Sequence, residues 1–152
     1  MRPFQLKYGV RMGRKEGAVL VKDAMTAKVE WIEPETSLMQ AAKRMRDAGV
    51  GCLPVRENDS LIGIVTDRDI TCRGVAGDLD PANTPVREVM TETVVWCLED
   101  QDVQDAALMM EEHAVRRLPV FDHDKRLVGI LSLDDLGRRV SHALAGEVID
   151  KR

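Results

Sequence analysis

Two four-residue blocks set a hydroxyl three positions ahead of a carboxylate: Thr66-Asp67-Arg68-Asp69 and Ser132-Leu133-Asp134-Asp135. An ionised carboxylate has two acceptor oxygens and so suits a cis-diol. The same spacing also makes a helix N-cap, with the hydroxyl accepting from one backbone N–H and the acid reaching back to another. Both roles stay open, and one residue can serve both. Arg116-Arg117 stand directly before Leu118-Pro119. Their guanidinium groups match phosphate oxygens, although two adjacent arginines can equally line a solvated edge. The matching residues before Leu53-Pro54 are Gly51-Cys52, which carry no cation.

Catalytic constellations are missing. His113, His123 and His142 share no metal-ligand spacing with each other or with Cys52, Cys72 and Cys97, so no metal site is expected and the histidines read as surface residues. The cysteines show no C-x-x-C spacing, and their odd number suits small buried thiols in a reduced state. No G-x-S-x-G, G-x-x-x-x-G-K-[ST] or H-E-x-x-H motif occurs. Neighbouring acids such as Asp134-Asp135 and Glu111-Glu112 do not face one another across a cleft. The chain is not expected to be an enzyme.

These residues are positioned by a pattern that occurs twice. Met90, Ala106 and Pro119 follow Met25, Ala41 and Pro54 by 65 positions, and Gly129 and Asp135 follow Gly63 and Asp69 by 66. An offset held across separated blocks marks a duplicated supersecondary unit. Each copy is read as a short helical turn, a strand, a helix, a two-stranded hairpin and a second helix. In the first, Val29–Ile32 alternates as a strand, Thr36 or Ser37 caps a helix with the apolar stripe Leu38, Ala41, Ala42 and Met45, and Gly49 ends it. Cys52–Arg56 and Leu61–Val65 form a hairpin about Glu57–Ser60, and a helix runs from Asp67 to about Val75. In the second, Val94–Cys97 is the strand and Val103, Ala106, Ala107 and Met110 form the stripe. Leu118–Phe121 and Leu127–Leu131 form the hairpin, and a last helix from Asp134 continues through Val140 and Leu144.

The Met-Thr opening (Asp23-Ala24-Met25-Thr26, with Glu88-Val89-Met90-Thr91 in the second copy), the Leu-Pro-Val strand and the Gly-x-x-[Thr/Ser]-x-x-Asp exit together resemble the cystathionine-β-synthase (CBS) domain pair, or Bateman module. The run Thr66-Asp67-Arg68-Asp69-Ile70, followed by Gly74, Ala76, Gly77, Leu79, Asp80 and Pro81, is similar to the stand-alone bacterial two-repeat members. The resemblance covers roughly Leu20 to Arg138. It implies an α/β fold of two tandem β-α-β-β-α repeats packed pseudo-symmetrically, with adenosine-nucleotide pockets in two clefts between the repeats. It also implies that Thr66 with Asp69, and Ser132 with Asp135, hold the ligand, each Asp accepting from the ribose hydroxyls. Arg116 and Arg117 would point toward phosphates, and Gly51-Cys52 departs from that pattern. Arg68 adds a further positive charge. The implied function is a non-catalytic regulatory module that binds an adenine nucleotide (AMP, ADP, ATP or NAD-like) as a regulatory ligand and signals to a separate effector protein or a second copy of itself, forming a homodimer. The alternative is a scaffold that keeps the fold without the ligand.

Size and charge bound the rest. A chain of 152 residues suits one compact body or two half-sized units sharing a core. The expected boundaries are a tail at 1–20, repeats at 21–77 and 86–140 joined by a turn-rich linker at 78–85, and a C-terminal helical extension at 141–152. Twenty-two basic against 26 acidic residues give a net charge of −4, which argues against a nucleic-acid binder with a broad basic face. A local exception is the tail, with Arg2, Lys7, Arg11, Arg14 and Lys15 before the first acid at Glu16. No apolar run reaches the ~20 residues of a membrane span, and no signal-peptide stretch opens the chain, so a cytoplasmic location is expected.

Overall fold

The structure is a computed structural model that describes residues 17–92 and 95–138. The basic tail to Glu16, Val94, the continuation of the last helix through Val140 and Leu144, and the 141–152 extension lie outside the described residues. The described chain falls into two compact units, residues 29–92 and residues 17–28 with 95–138. These units interleave with the sequence repeats, because each repeat's opening segment belongs to the unit built around the other repeat's hairpin.

The first unit contains helix α2 (Leu38–Ala48), strands β2 (Cys52–Glu57) and β3 (Ser60–Thr66), and helix α3 (Asp67–Asp69), which continues as a π-helical stretch over Ile70–Val75. Ser37 caps α2, its hydroxyl accepting from the Gln40 N–H at 3.1 Å, and Gly49 at φ 66° closes it. Asn58 and Asp59, both left-handed at φ 51° and 64°, make the two-residue turn between β2 and β3, a backbone twist that matches a hairpin. Gly74 lets the π-helical stretch approach α2, since a Cβ there would lie 2.9 Å from Leu38 Cδ1. Leu38, Ala41 and Met45 are buried, but Ala42 is exposed, so the apolar stripe is narrower than its spacing predicts.

The second unit opens with helix α1 (Val21–Ala24) and strand β1 (Thr26–Ala27). It continues with β4 (Cys97–Leu98), α4 (Val103–His113), β5 (Arg117–Phe121), β6 (Leu127–Ser132) and a final helix α5 at 133–138. Its sheet has the order β1-β6-β5-β4, with β4 parallel to β5 and the other pairs antiparallel. Asp102 caps α4 through the Gln104 N–H. The buried face of α4 is Ala106, Met109 and Met110, with Val103 and Ala107 only half-buried.

The two units match position for position. In the second, Thr26 pairs with Ile130 on β6; in the first, Thr91 pairs with Ile64 on β3. Val86, Val89 and Met90 fill the first unit's core, and Val21 the second's, with Met25 packed against it. Backbone bonds repeat as well: Val86 N–H to Thr36 O (2.8 Å) and Arg87 N–H to Pro34 O (3.1 Å) correspond to Val21 N–H to Gln101 O (2.8 Å) and Lys22 N–H to Glu99 O (2.9 Å). Arg87 adds ion pairs to Glu35 (3.0 Å) and Glu57 (2.8 Å). The expected strand at Val29–Ile32 shrinks to Ile32, which bridges Val55 in parallel. Lys28 at φ 60° turns the chain away from extended geometry just ahead of it. The expected strand before α4 is shifted to Cys97–Leu98.

Among the described residues no helix is long and apolar enough to cross a membrane. The expectation of three buried thiols is corrected at Cys72, which is exposed on the π-helical stretch, whereas Cys52 and Cys97 are buried. Burial pushes the Cys97 thiol up to about 12. One thiol of the folded protein should therefore react quickly with an alkylating reagent and two more only on unfolding, as read by intact mass. An unfolded cysteine ionises near its ordinary 9.0, so the contribution of a neutral, buried Cys97 to stability is whole below pH 9 and is lost as pH rises toward 12.

Candidate functional site

Both hydroxyl–carboxylate blocks lie where the last strand of a unit runs directly into a helix. Thr66 is extended (φ −114°, ψ 162°) and its Oγ1 accepts from the Asp69 N–H at 3.0 Å, while Asp69 Oδ2 accepts from the Thr66 N–H at 3.0 Å. In the second unit Ser132 Oγ accepts from the Asp135 N–H at 3.0 Å and Asp135 Oδ2 from the Ser132 N–H at 2.9 Å. The capping role is thus filled twice, by reciprocal caps. Each uses one oxygen of the acid and leaves the other for a different partner.

Asp69 and Asp135 are among the few buried polar residues, at 9% and 8% exposure. A carboxylate kept this far from water needs hydrogen-bond donors to offset its desolvation, and a cap N–H supplies only one. Among the described residues Asp69 Oδ1 has no hydrogen-bond partner, whereas Asp135 Oδ1 accepts from Arg138 at 3.1 Å. Sequence reasoning passed over Arg138. Its signal was available in the spacing, three residues after Asp135 on a helix.

The residues ahead of each Leu-Pro pair are brought to the same place. The Leu133 N–H donates to Arg116 O at 2.8 Å and Arg117 is paired in register with Ser132. The Asp67 N–H donates to Gly51 O at 2.9 Å and Cys52 is paired with Thr66. In the second unit the backbone thus sets an exposed Arg116 and a half-buried Arg117 beside Ser132 and Leu133, while the Arg138 side chain rests on Asp135. In the first, Gly51 and Cys52 flank Thr66 and Asp69, with exposed Asp67 and Arg68 beside them and a bond from the Arg68 N–H to Asp67 Oδ1 at 2.8 Å.

A further contrast lies one strand away. Arg56 stacks over Trp31 at 5.4 Å, and the equivalent positions hold Phe121 against Trp96, edge to face at 5.6 Å. His113 and His123 are exposed, with His123 Nε2 2.7 Å from Asp100 Oδ2, and His142 lies outside the described residues. Among the described residues no three His, Cys, Asp or Glu side chains converge as metal ligands would.

Two buried acids in reciprocal caps, repeated in two matching α/β units, define the class. The chain belongs to the CBS-domain family, whose family model matches it twice, at residues 21–73 and 86–142. It is 39% identical over 130 residues to the CBS domain-containing protein YhcV of Bacillus subtilis, spanning 85% of this chain and 91% of that protein. It is 36% identical over 125 residues to Hypoxic response protein 1 of Mycobacterium tuberculosis, spanning 81% and 87%. Among solved structures, Hypoxic Response Protein I with two coordinated zinc ions is similar at 35% identity and a TM-score of 0.65, covering 80% of this chain and 98% of that one. The CBS domain pair of protein MJ0100, in complex with 5′-methylthioadenosine and S-adenosyl-L-methionine, is similar at 28% identity and a TM-score of 0.75, covering 83% and 98%.

Proposed function

We propose that this chain is a non-catalytic regulatory module that binds adenosine-type ligands, the ribose hydroxyls donating to Asp69 in one unit and Asp135 in the other. The observation that carries the reading is that each acid is buried yet spends only one oxygen on its helix cap. Support comes from the adenosine compounds held by the similar CBS pair of MJ0100. Thr66 and Ser132 fix the carboxylates through the caps, and Arg116 and Arg117 supply phosphate-matching donors in the second unit only. A ligand transmits free energy to a partner only through different affinities for two conformations or assemblies. The recipient is an effector protein or a second copy of the chain.

The test is thermal unfolding with adenosine, AMP and ATP. A ligand confined to the native state adds about 2.7 kcal/mol at ~100 times its dissociation constant, a rise of roughly 5–11 °C for a chain of this size. If no adenosine compound moves the midpoint, the caps are structural only and the scaffold reading stands in its place. We also propose a homodimer formed through helix surfaces, for which Ala42 on α2 and the half-exposed Leu108 on α4 are available. Light scattering at micromolar concentration should give twice 17.0 kDa, and a value near 17.0 kDa would remove the dimer.

A further inference from the structure

We infer that Arg138 determines ligand specificity in the second unit: it is an exchangeable counterion of Asp135 that a ribose must displace and that a phosphate then receives, so nucleotides are favoured over nucleosides. The inference rests on the ribose assignment of Asp135 proposed above.

Asp135 has both oxygens engaged, Oδ2 by the Ser132 N–H at 2.9 Å and Oδ1 by Arg138 at 3.1 Å. The first of these partners is backbone and built into the cap. The second is a side chain 73% exposed to water, resting on a carboxylate only 8% exposed. A diol approaching from solvent therefore meets the guanidinium before it meets Oδ1. In the first unit the residue three positions after Asp69 is Cys72, which carries no cation, and Asp69 Oδ1 has no partner among the described residues. The two carboxylates thus share the same cap and differ in whether a cation competes with the ligand.

Displacing an exposed ion pair is cheap, a factor of at most about five in affinity. Its effect depends on the ligand. Adenosine takes the carboxylate and brings no anion of its own for the released Arg138. AMP brings a phosphate that accepts the released guanidinium, and such a charge-assisted contact is worth about 10- to 150-fold.

The experiment is calorimetric titration of adenosine and AMP into Arg138→Gln, in an Asp69→Asn background so that only the second unit reports. Adenosine should bind two- to fivefold tighter than in the background protein and AMP roughly 2- to 75-fold weaker, the gain from losing the competitor partly offsetting the lost phosphate contact. Affinities that move in opposite directions separate this role from a structural one, which would weaken both. Adenosine affinity of the background protein should also rise with salt as the ion pair is screened, and that dependence should vanish in Arg138→Gln. Adenosine binding that is unchanged or weakened by Arg138→Gln overturns the inference. Asp135→Asn in the same background tests the assignment beneath it: unchanged AMP binding there defeats the ribose role and the inference with it. Weakened binding there, with no gain for adenosine in Arg138→Gln, defeats the inference alone.

Discussion

Gly129→Ala should lower the thermal midpoint by roughly 5–10 °C, although it adds a single methyl group. A Cβ on Gly129 would stand 2.7 Å from Thr26 O and 2.6 Å from Met25 Sδ. The methionine can swing aside. The carbonyl cannot without opening the ladder that pairs Thr26 with Ile130 and Ala27 with Gly129. Overpacking of this kind costs about 1–3 kcal/mol, each hydrogen bond lost from the ladder about 1 kcal/mol more, and the smaller entropy of the unfolded alanine chain returns about 0.4–1 kcal/mol. With one such bond lost the net is centred on about 2.5 kcal/mol, which at about 2–4 °C per kcal/mol gives the stated range. Gly63→Ala should behave similarly, since its Cβ would meet Thr91 O at 2.8 Å and Met90 Sδ at 3.1 Å. Gly137, exposed in α5 with nothing within 4 Å of its Cβ position, is the control, and alanine there should be neutral or stabilising. If scanning calorimetry finds Gly129→Ala as stable as Gly137→Ala, the interlock of opening segment and hairpin is wrong.

That interlock marks the boundary of what was legible from residues alone. The duplication, the hairpins, the Ser37 cap and the Gly49 terminus were readable because each depends on local chemistry at a fixed spacing. The exchange of opening segments was not, because an offset of 65 shows that Met25-Thr26 and Met90-Thr91 are equivalent without showing which hairpin each one meets. Ala42 was misplaced for a related reason: spacing defines an apolar stripe, but only the packed partner decides its width. At the candidate site the pattern located both hydroxyl–carboxylate pairs and posed the choice between cap and ligand. The caps then proved to be made, and the second oxygen of each acid kept the ligand role in play. Arg138 escaped notice because its partner is on its own helix and its counterpart in the first copy is Cys72, so the repeat comparison drew no attention to it.

For AMP, Arg117→Ala and Asp135→Ala should each weaken binding sharply, and Asp69→Ala should have the smaller effect. The ranking follows from the mismatch between the copies. Arg116 and Arg117 bring two guanidinium groups to the strand end beside Ser132, where Gly51 and Cys52 bring no cation beside Thr66. A charge-assisted hydrogen bond is worth about 1.5–3 kcal/mol, so loss of one arginine contact should weaken a phosphate-bearing ligand by roughly 10- to 150-fold. Adenosine, with no phosphate, should be almost indifferent to Arg117→Ala. The two aspartate variants can be compared because each removes the acid half of the same reciprocal cap, and Asp135→Ala removes in addition only the exposed Arg138 ion pair, worth about 0–1 kcal/mol, so most of any difference in AMP affinity belongs to the ligand. Isothermal titration of the three variants, each first shown to unfold cooperatively, measures the order. Equal losses from Asp69→Ala and Asp135→Ala, or an Arg117→Ala protein with the parent's affinity for AMP, would mean that the two units take the same ligand and that the arginine pair only lines a solvated edge.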